Sequence, residues 1–585
     1  MPLFASDAVK LLSAAVPEIA DDQLAAELVK PPKPEMGDLG WPCFALAKSR
    51  KKAPPAIAGE IAGALADAPG FARSPFAEIR AVGPYVNFIY RGDALAGAAV
   101  GRALENPDAW GASAEGAGKT VVIDYSSPNI AKPLGVHHIR STMIGASLAR
   151  IFRALGWKVV TVNHLGDWGT TFGQLMVSYK EAESASPGQR VDVHSLLRFY
   201  IQFHAAAGED ESLKDEARDW FRKLEAGDPE AVRLWKIFLE ESLKDLKKLY
   251  KRLNVDFDHY LGESFYNDRM DATLARLRAK NLLKNSDGAE VVDLEDLGMP
   301  PLLAVKRDGA STYATRDLAA AEYRRDAFHF DLSLYVVANQ QELHFRQVFA
   351  ALERMGHDWA RGCEHVKFGM LAFAPGVFGE ERATGATRKG QVLFLEEVLD
   401  KAVERAKGII LENAREPEAT ENADRLAETI GVGAVVFSEF LQRRSRDVLF
   451  SWERALNLHG DSGPYLQYTH ARLCSVARKA GIGANPGAVD WKRLETPLER
   501  EIMLALSGFG DVVASAARER EPSLIATYLL DLSALFNRMF TDKDRHRIVT
   551  GDAELTAARA ALAAAVRVTL ARGLFLMGIE APERM

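Results

Sequence analysis

The stretch SSPNIAKPLGVHHIRST, residues 126–142, decides the fold because it joins a strand pattern to a helix pattern. The apolar run VVIDY (121–125) precedes it, and Gly156 and VVTV (159–162) follow it. Between them apolar residues recur at helical spacing, namely Ile139, Met143, Ile144, Leu148, Ile151 and Leu155. This order predicts a strand, a loop, a helix and a second strand, which begin a doubly wound parallel sheet.

The remaining patterns predict three domains in the 585-residue chain. Residues 1–104 mix helical patterns with the alternating stretch AVGPYVNFIYRGD and predict a small α+β domain. Residues 118–400 predict a Rossmann-like α/β domain, in which charged amphipathic helices at about 185–255 form an insertion before LLAVKR (302–307) resumes the strand pattern. Residues 401–585 predict an all-helical domain.

Composition narrows the class of protein. Hydrophobic residues make up 48% and charged residues 26%, as in a folded protein. The three cysteines, Cys43, Cys363 and Cys474, lie far apart without CxxC spacing, which argues against a disulfide framework and a cysteine zinc site. We expect a cytoplasmic protein, because no leader pattern and no apolar run of about 20 residues is present. The net charge of −7 still allows a local basic face that binds nucleic acid.

The loop after VVIDY has the position and chemistry of a phosphate site. Ligands bind at the carboxyl ends of parallel strands, where Lys132 supplies a cation and His137 and His138 supply donors. Neither GxxxxGK[ST] nor GxGxxG occurs there, which disfavours a P-loop ATPase and a dinucleotide fold. Adjacent histidines point to different faces of a helix and make a poor metal pair, whereas a backbone cap remains an alternative to phosphate binding.

Several blocks resemble one family. SSPNIAKPL…HHIRST resembles the signature loop of class I aminoacyl-tRNA synthetases in its arginyl form. Further blocks resembling the arginyl family follow in its order: NHLGDWGTTFGQL (163–175), YATRDLAAAEYR (313–324), QQELHFRQVFAALERMG (340–356), ATRKGQVLFLEEVLD (386–400), GPYLQYTHARLCSVARKAG (463–481) and the ending GLFLMGIEAPERM. They span nearly the whole chain and together are highly specific.

The resemblance implies a reaction and its partners. Arginine and ATP form arginyl-adenylate and pyrophosphate, and the arginyl group then passes to the terminal ribose of arginine tRNA. Mg²⁺ accompanies the ATP, no zinc is expected, and the first step usually requires bound tRNA. The resemblance also implies a monomer with an N-terminal domain at the tRNA elbow and a C-terminal anticodon-binding domain.

The arginine pocket must match a planar guanidinium with five donors, which carboxylates and neutral acceptors can do. Tyr313 and Asp317 are four residues apart on one helix face. Matching to the family implies that arginine is bound by Asp124, Asn129, Glu263, Tyr313, Asp317 and Gln341, with Asn129 at the α-ammonium or carboxylate. The alternatives are that Asp317 is an ordinary helix N-terminal carboxylate and that Asp124 pairs with a loop amide.

The resemblance also assigns an ATP site, and both of its loops depart from the family. The implied ATP-binding residues are Ser126, Lys132, Gly135, His137, His138, Gly385, Thr387, Arg388 and Lys389, with His138, His137, Lys132, Arg388 and Lys389 as the catalytic group. Where the family has His-x-Gly-His, this chain has Gly-Val-His-His (135–138), and Gly-Ala-Thr-Arg-Lys-Gly (385–390) replaces Met-Ser-x-Arg-Lys-Gly. We expect His138 to keep its phosphate role and His137 to replace the displaced histidine in part.

For tRNA, Tyr465, Tyr468 and Arg472 share one helix face and offer stacking rings and a charge. Tyr85 and Asn87 of GPYVNF match the family's elbow contacts. Tyrosines at such spacing also occur as core residues. Two rival hypotheses remain: a ligase for another amino acid, and an RNA-binding relative that has lost catalysis through its altered loops.

Overall fold

We describe the chain from a computed structural model that covers residues 2–185, 188, 191–374, 376–378, 393–413, 422–480 and 489–585. The predicted ATP-site residues Gly385, Thr387, Arg388 and Lys389 lie outside these residues.

The first domain contains a three-stranded antiparallel sheet in the order β1-β3-β2, with β1 at Leu39–Pro42, β2 at Phe76–Val82 and β3 at Tyr85–Tyr90. The Gly-Pro turn of the predicted hairpin joins β2 to β3, and Gly83 adopts a φ of 56° there. The α-helices before residue 110 are Ala5–Ala15, Asp21–Glu27, Ala47–Arg50, Pro54–Ala66, Gly92–Ala96 and Arg102–Glu105, with the π-helix Gly97–Gly101 between the last two. The predicted α+β domain is thus confirmed.

The central sheet has five parallel strands in the order β11-β10-β4-β5-β6. These are β4 (Thr120–Asp124), β5 (Lys158–Asn163), β6 (His259–Tyr260), β10 (Leu332–Tyr335) and β11 (Cys363–His365). The chain runs from β4 to β5 and β6 on one side and returns to β10 on the other side of β4. The loop after β4 therefore lies at the point where strand order reverses, which is where open α/β sheets bind ligands.

Helices surround this sheet and build the insertion. The predicted crossover helix is His138–Ala154, and the insertion contains Val193–Glu209, Ser212–Glu225 and Pro229–Arg252. The other α-helices of this part are Thr170–Ala185, Met270–Ala279, Tyr313–Phe328 and Glu342–Arg354.

A second, antiparallel sheet differs from the sequence prediction. LLAVKR does form a strand, β9 (Leu302–Val305), but it pairs with β8 (Ala289–Val292), which pairs with β7 (Leu283–Ser286). The pattern therefore predicted the strand correctly but not its sheet, because β7 is short and polar and gives no strand signal of its own.

The C-terminal part is helical apart from one short strand. Its α-helices are Leu395–Asn413, Ala423–Ser438, Trp452–Ala455, Gly463–Ala480, Pro497–Ser507, Phe509–Glu519, Ser523–Thr541 and Ala553–Leu576. Strand β13 (Val448–Phe450) pairs in parallel with β12 (Leu371–Phe373), and the domain boundary predicted after residue 400 falls inside the first of these helices. Across the described residues, no helix combines the length and apolarity needed to cross a bilayer.

Two contacts fix the first domain and its linker on the helical domain. Arg500 pairs with the carboxylate of Asp38 and donates to the Tyr90 carbonyl at 3.2 Å. In the linker, the Trp110 indole N–H donates to Thr569 Oγ1 at 2.9 Å.

Candidate active site

The loop after β4 is held by hydroxyl groups from the crossover helix and the insertion. Ser126 N donates to Ser141 Oγ at 2.9 Å, and Ser126 Oγ lies 2.8 Å from Thr142 Oγ1 and 2.7 Å from the Tyr250 hydroxyl. Ser126 has a φ of 69° and Ala131 a φ of 68°, conformations that non-glycine residues rarely adopt. The surrounding bonds stabilise this strained backbone, as is common at ligand sites. Ser126 is buried, so its contribution is to shape the loop.

The rings of the two histidines of this loop contact each other in a tilted arrangement at the start of the helix. Their ring centroids are 4.1 Å apart, and His138 Nδ1 lies 3.1 Å from the Gly135 carbonyl oxygen. His137 turns back over Gly135, where a Cβ would be only 2.6 Å from its Cε1. His137 therefore lies against His138 and covers Gly135.

The electrostatics of this loop favour the binding of negative charge. Burial, and then the neighbouring His137, lower the pKa of His138 to about 3. Burial also lowers the pKa of Lys132, which is half-buried. Desolvation, and then the neighbouring charge of Lys132, lower the pKa of His137. Since Nδ1 of His138 faces a carbonyl, that nitrogen carries the proton in the neutral ring. An anion entering here would raise all three pKa values and favour the charged forms.

The predicted loop at 385–390 lies outside the described residues, but the chain that follows it is fixed beside the histidines. Val136 N donates to the Leu393 carbonyl at 3.0 Å, and Leu395 N donates to the Leu134 carbonyl at 2.8 Å. Residues immediately after the predicted loop therefore pair with the signature loop.

Two predicted arginine ligands meet around a histidine that the sequence did not single out. Asp317 Oδ2 lies 2.6 Å from His344 Nε2, and the centroid of the Tyr313 ring lies 4.8 Å from that of the His344 ring, with the two rings tilted. Tyr313 is 65% exposed, so it lies at the rim rather than in the core. Gln341 is exposed at the start of the same helix as His344. The signal that could have revealed His344 is its spacing of three residues from Gln341.

Asp124 has internal partners. Its Oδ2 lies 2.8 Å from Arg324 Nη1, and its Oδ1 accepts the Ser127 hydroxyl at 2.7 Å. Arg324 is 1% exposed, also reaches His164 at 3.3 Å, and lies over the Tyr335 ring. The sequence missed Arg324, although it stands in the YATRDLAAAEYR block. The Asp124 carboxylate is thus already neutralised, and its predicted direct contact with arginine stays a prediction.

Glu263 lies at the start of the 3₁₀ helix Glu263–Arg269, with a cation nearby. Burial raises its pKa to about 7, and Arg316, 3.7 Å away, opposes that rise. Asp317 adds a repulsive charge that also raises the pKa. An incoming guanidinium would favour the ionised form of this acid.

Asn129 packs on the turn of the NHLGDWG block. It forms a β-bridge with Gly166, where a Cβ would lie only 2.0 Å from Asn129 Oδ1. Gly166 therefore permits this close approach. Asn129 remains exposed, whereas Asp167 of the same turn is buried and accepts two hydrogen bonds from Ser264.

Three sequence-family models match the chain in sequence order. Residues 6–90 match the arginyl tRNA synthetase N terminal domain, residues 100–452 the tRNA synthetases class I (R) catalytic domain, and residues 466–585 the DALR anticodon binding domain. The chain belongs to the arginyl-tRNA synthetase family.

Relatives within this family match almost end to end. Arginine–tRNA ligases of Alkaliphilus metalliredigens and Clostridioides difficile are each 42% identical, over 98% of this chain and 98% of theirs. Among solved structures, the Thermus thermophilus arginyl-tRNA synthetase matches with a TM-score of 0.80 at 26% identity, covering 100% of both chains.

The predicted tRNA-binding residues fall into two places. In the helical domain, Asn537 Nδ2 donates to the Tyr465 hydroxyl at 2.8 Å, and Arg472 Nη1 donates to Asn537 Oδ1 at 3.2 Å. Arg472 also lies over the rings of Tyr468 and Phe540. The sequence singled out Tyr465, Tyr468 and Arg472, which lie on one helix. It did not single out Asn537 and Phe540, which lie on the helix Ser523–Thr541.

In the first domain, the structure separates the two predicted contacts. Tyr85 lies edge-on to Phe44 at 6.0 Å, and Phe44 is 56% exposed. Asn87 is only 2% exposed, and its Oδ1 lies against Gly40, where a Cβ would be 2.5 Å away. Asn87 is thus buried within the sheet, and its predicted contact with tRNA stays a prediction.

Among the residues that the structure describes, no three His, Cys, Asp or Glu side chains form a group able to hold a metal ion.

Proposed function

We propose that this chain joins L-arginine to ATP, forming arginyl-adenylate and pyrophosphate, and transfers the arginyl group to the 3′ end of arginine tRNA for translation. The observation that carries the proposal is the placement of Lys132, His137 and His138 in one loop at the strand-order reversal of the sheet. Membership of the family, with near-complete coverage of its arginine–tRNA ligases, supports the choice of arginine and tRNA.

For arginine recognition, Asp317 carries the main charge. Its hydrogen bond to His344 orients the carboxylate, and Tyr313 closes the same side from the rim. Glu263 and Gln341 complete the set of acceptors for the guanidinium, and Asn129 binds the α-ammonium or carboxylate end. Lysine has a compact ammonium and cannot satisfy a planar fork of acceptors, so it is rejected.

For ATP, the loop after β4 supplies preorganised groups at a position that is partly shielded from water. Lys132, His137 and His138 stabilise the charge that develops as the α-phosphate is attacked and pyrophosphate leaves. Arg388 and Lys389 contact the triphosphate from the altered loop, together with Gly385 and Thr387. Magnesium enters with ATP as part of the substrate. Gly135, which has no side chain, leaves room for the His137 ring.

For tRNA, the cluster of Tyr465, Tyr468 and Arg472 binds the anticodon region by stacking and charge. Tyr85 stacks at the elbow. The chain acts in the cytoplasm as a monomer.

Isotope exchange between pyrophosphate and ATP tests this function, with arginine, lysine or citrulline as substrate and arginine tRNA present. We expect exchange when arginine is the substrate and no exchange with lysine or citrulline. Exchange with another amino acid would favour a different ligase, and no exchange together with retained tRNA binding would favour a non-catalytic RNA-binding relative.

A further inference from the structure

A cleft of about 520 Å³ opens at the edge of the central sheet, and its lining, among the described residues, contains none of the predicted arginine or ATP ligands. It lies between the end of the helix Pro229–Arg252 and the segment that leads into β6. Its lining includes Lys247, Tyr250, Lys251, Asn254, Phe257 and Tyr260. We call it the lysine cleft.

The cations of this cleft lack acidic partners. Lys247 and Lys251 are one helical turn apart and exposed, and neither has a carboxylate within 4.0 Å among the described residues. On the same helix, Lys244 pairs with Glu241 at 2.5 Å and Lys248 with Glu396 at 2.8 Å. Both lysines that face the cleft are thus without a neutralising carboxylate in the described part of the chain.

Aromatic groups make the cleft wall. Lys247 Nζ lies 5.2 Å from the centroid of the Tyr260 ring, a cation–π distance. The Tyr250 hydroxyl is 2.7 Å from Ser126 Oγ and accepts a hydrogen bond from Asn163 Nδ2 at 3.0 Å. Since buried Tyr250 is held at both contacts and packs on Phe257, the wall is formed before any ligand arrives.

A second cleft of about 260 Å³ shares residues 254–257 with the first. It adds Arg150 and Arg153 from the crossover helix. Arg150 Nη1 is inaccessible to water and has no hydrogen-bond partner. The carboxylates here are Asp256, which lines both clefts, and Asp258, which accepts Thr161 N at 2.8 Å and lies 3.6 Å from Arg153 Nη2. The combined depression is therefore rich in cations.

We propose that the lysine cleft binds a phosphate-bearing ligand, with phosphate oxygens at Lys247 and Lys251 and an aromatic base against Tyr260. Two sources can supply this chemistry: the nucleotide backbone of tRNA, which rests on the proposed function, and free ATP. A helix C-terminus also favours cations through its dipole, so the test must separate ligand binding from helix stability.

The test compares the wild-type chain with Lys247→Gln/Lys251→Gln. Lys236→Gln is the matched control, because Lys236 is an equally exposed, unpaired lysine of the same helix outside the cleft. Filter binding of arginine tRNA over a range of salt concentrations gives the Kd and its salt slope. Equilibrium dialysis with labelled ATP gives the number of nucleotides bound.

If tRNA is the source, the double variant raises the tRNA Kd several-fold and lowers the salt slope by about one to two, while the control changes neither. If free ATP is the source, tRNA binding stays unchanged and the double variant loses one bound nucleotide. Lys247→Arg/Lys251→Arg should restore binding in either case, which excludes a folding defect.

The proposal is overturned if neither measurement changes, or if the Lys236 control changes as much as the double variant. Pyrophosphate exchange with arginine is measured on the same samples. Absence of exchange in the wild-type chain would overturn the proposed function and leave the two binding results interpretable.

Discussion

The imidazole of His137 fills the space in front of Gly135, with its Cε1 2.6 Å from the position that a Cβ on Gly135 would take. In the usual loop of the family, the histidine and the glycine stand at each other's positions. This chain therefore keeps one glycine and two histidines in the same short loop, but reverses the order of the glycine and the first histidine.

Exchanging these residues tests whether the reversed order is equivalent. Gly135→His alone puts a second ring into the occupied space and should raise the KM for ATP at least about tenfold, roughly 1.4 kcal/mol. Gly135→His/His137→Gly recreates the family's order and should recover most of that loss in pyrophosphate exchange. An unchanged KM in the single variant would show that the His137 ring moves away freely.

His138 should contribute more to the rate than to ATP binding. Replacing it with alanine removes a group aimed at developing phosphate charge and should lower the exchange rate by about 100-fold, the range seen for such donors. His137→Ala should have a smaller effect. An exchange rate for His138→Ala equal to that of the wild-type chain would remove His138 from the catalytic group.

The titration of His138 follows from its burial. With a pKa near 3, its ring stays neutral when the pH falls from 7 to 5, where an ordinary histidine takes up a proton near 6.5. The unfolded chain binds that proton first, so this residue lowers the free energy of unfolding as the pH falls below 6.5. Nitrogen NMR of labelled histidines, with His138→Asn to assign the signal, measures the pKa directly. Protonation near pH 6.5 in the ligand-free chain would contradict the prediction.

Asp317 should dominate arginine selection. Asp317→Asn keeps the size of the side chain but removes its charge, and should lower kcat/KM for arginine by about 100-fold, or 2.7 kcal/mol. His344→Gln can still donate to the carboxylate and should cost less than tenfold. If the two variants were equally impaired, His344 itself would have to contact arginine.

The Asp124–Arg324 pair is predicted to be structural. Both side chains are at most 8% exposed, so Arg324→Met leaves an unpaired buried carboxylate and should lower the free energy of unfolding by about 3–5 kcal/mol. Asp124→Asn/Arg324→Met removes both charges and should recover part of this stability in thermal unfolding. If Arg324→Met retained wild-type stability but lost arginine binding, Asp124 would be a direct ligand as the sequence predicted.

The parallel sheet was predictable because its strands are buried on both faces. VVIDY and VVTV are continuous apolar runs at the spacing that a crossover helix requires, and the structure places them as neighbours β4 and β5. The antiparallel sheet of β7, β8 and β9 was not predictable, since the four residues of β7 are LKNS and mostly exposed. Its register depends on packing with distant segments.

The sequence could propose candidate ligands for the site but not the side chains that contact them. Motif matching located Asp317 and Asp124, but His344 and Arg324 reach them from 27 and 200 residues away along the chain. The alternating pattern in YVNFIY correctly predicted a strand, although burial along it does not alternate. It did not predict that Gly40 of β1 would let the Asn87 side chain lie buried against it, because that contact depends on cross-strand pairing.

The most direct test of the central claim is aminoacylation of arginine tRNA by the purified chain with ATP and magnesium. We expect labelled arginine to become attached to the tRNA 3′ end, and labelled lysine and citrulline to remain free. Attachment of a different amino acid, or none with any amino acid while tRNA still binds, would contradict the account.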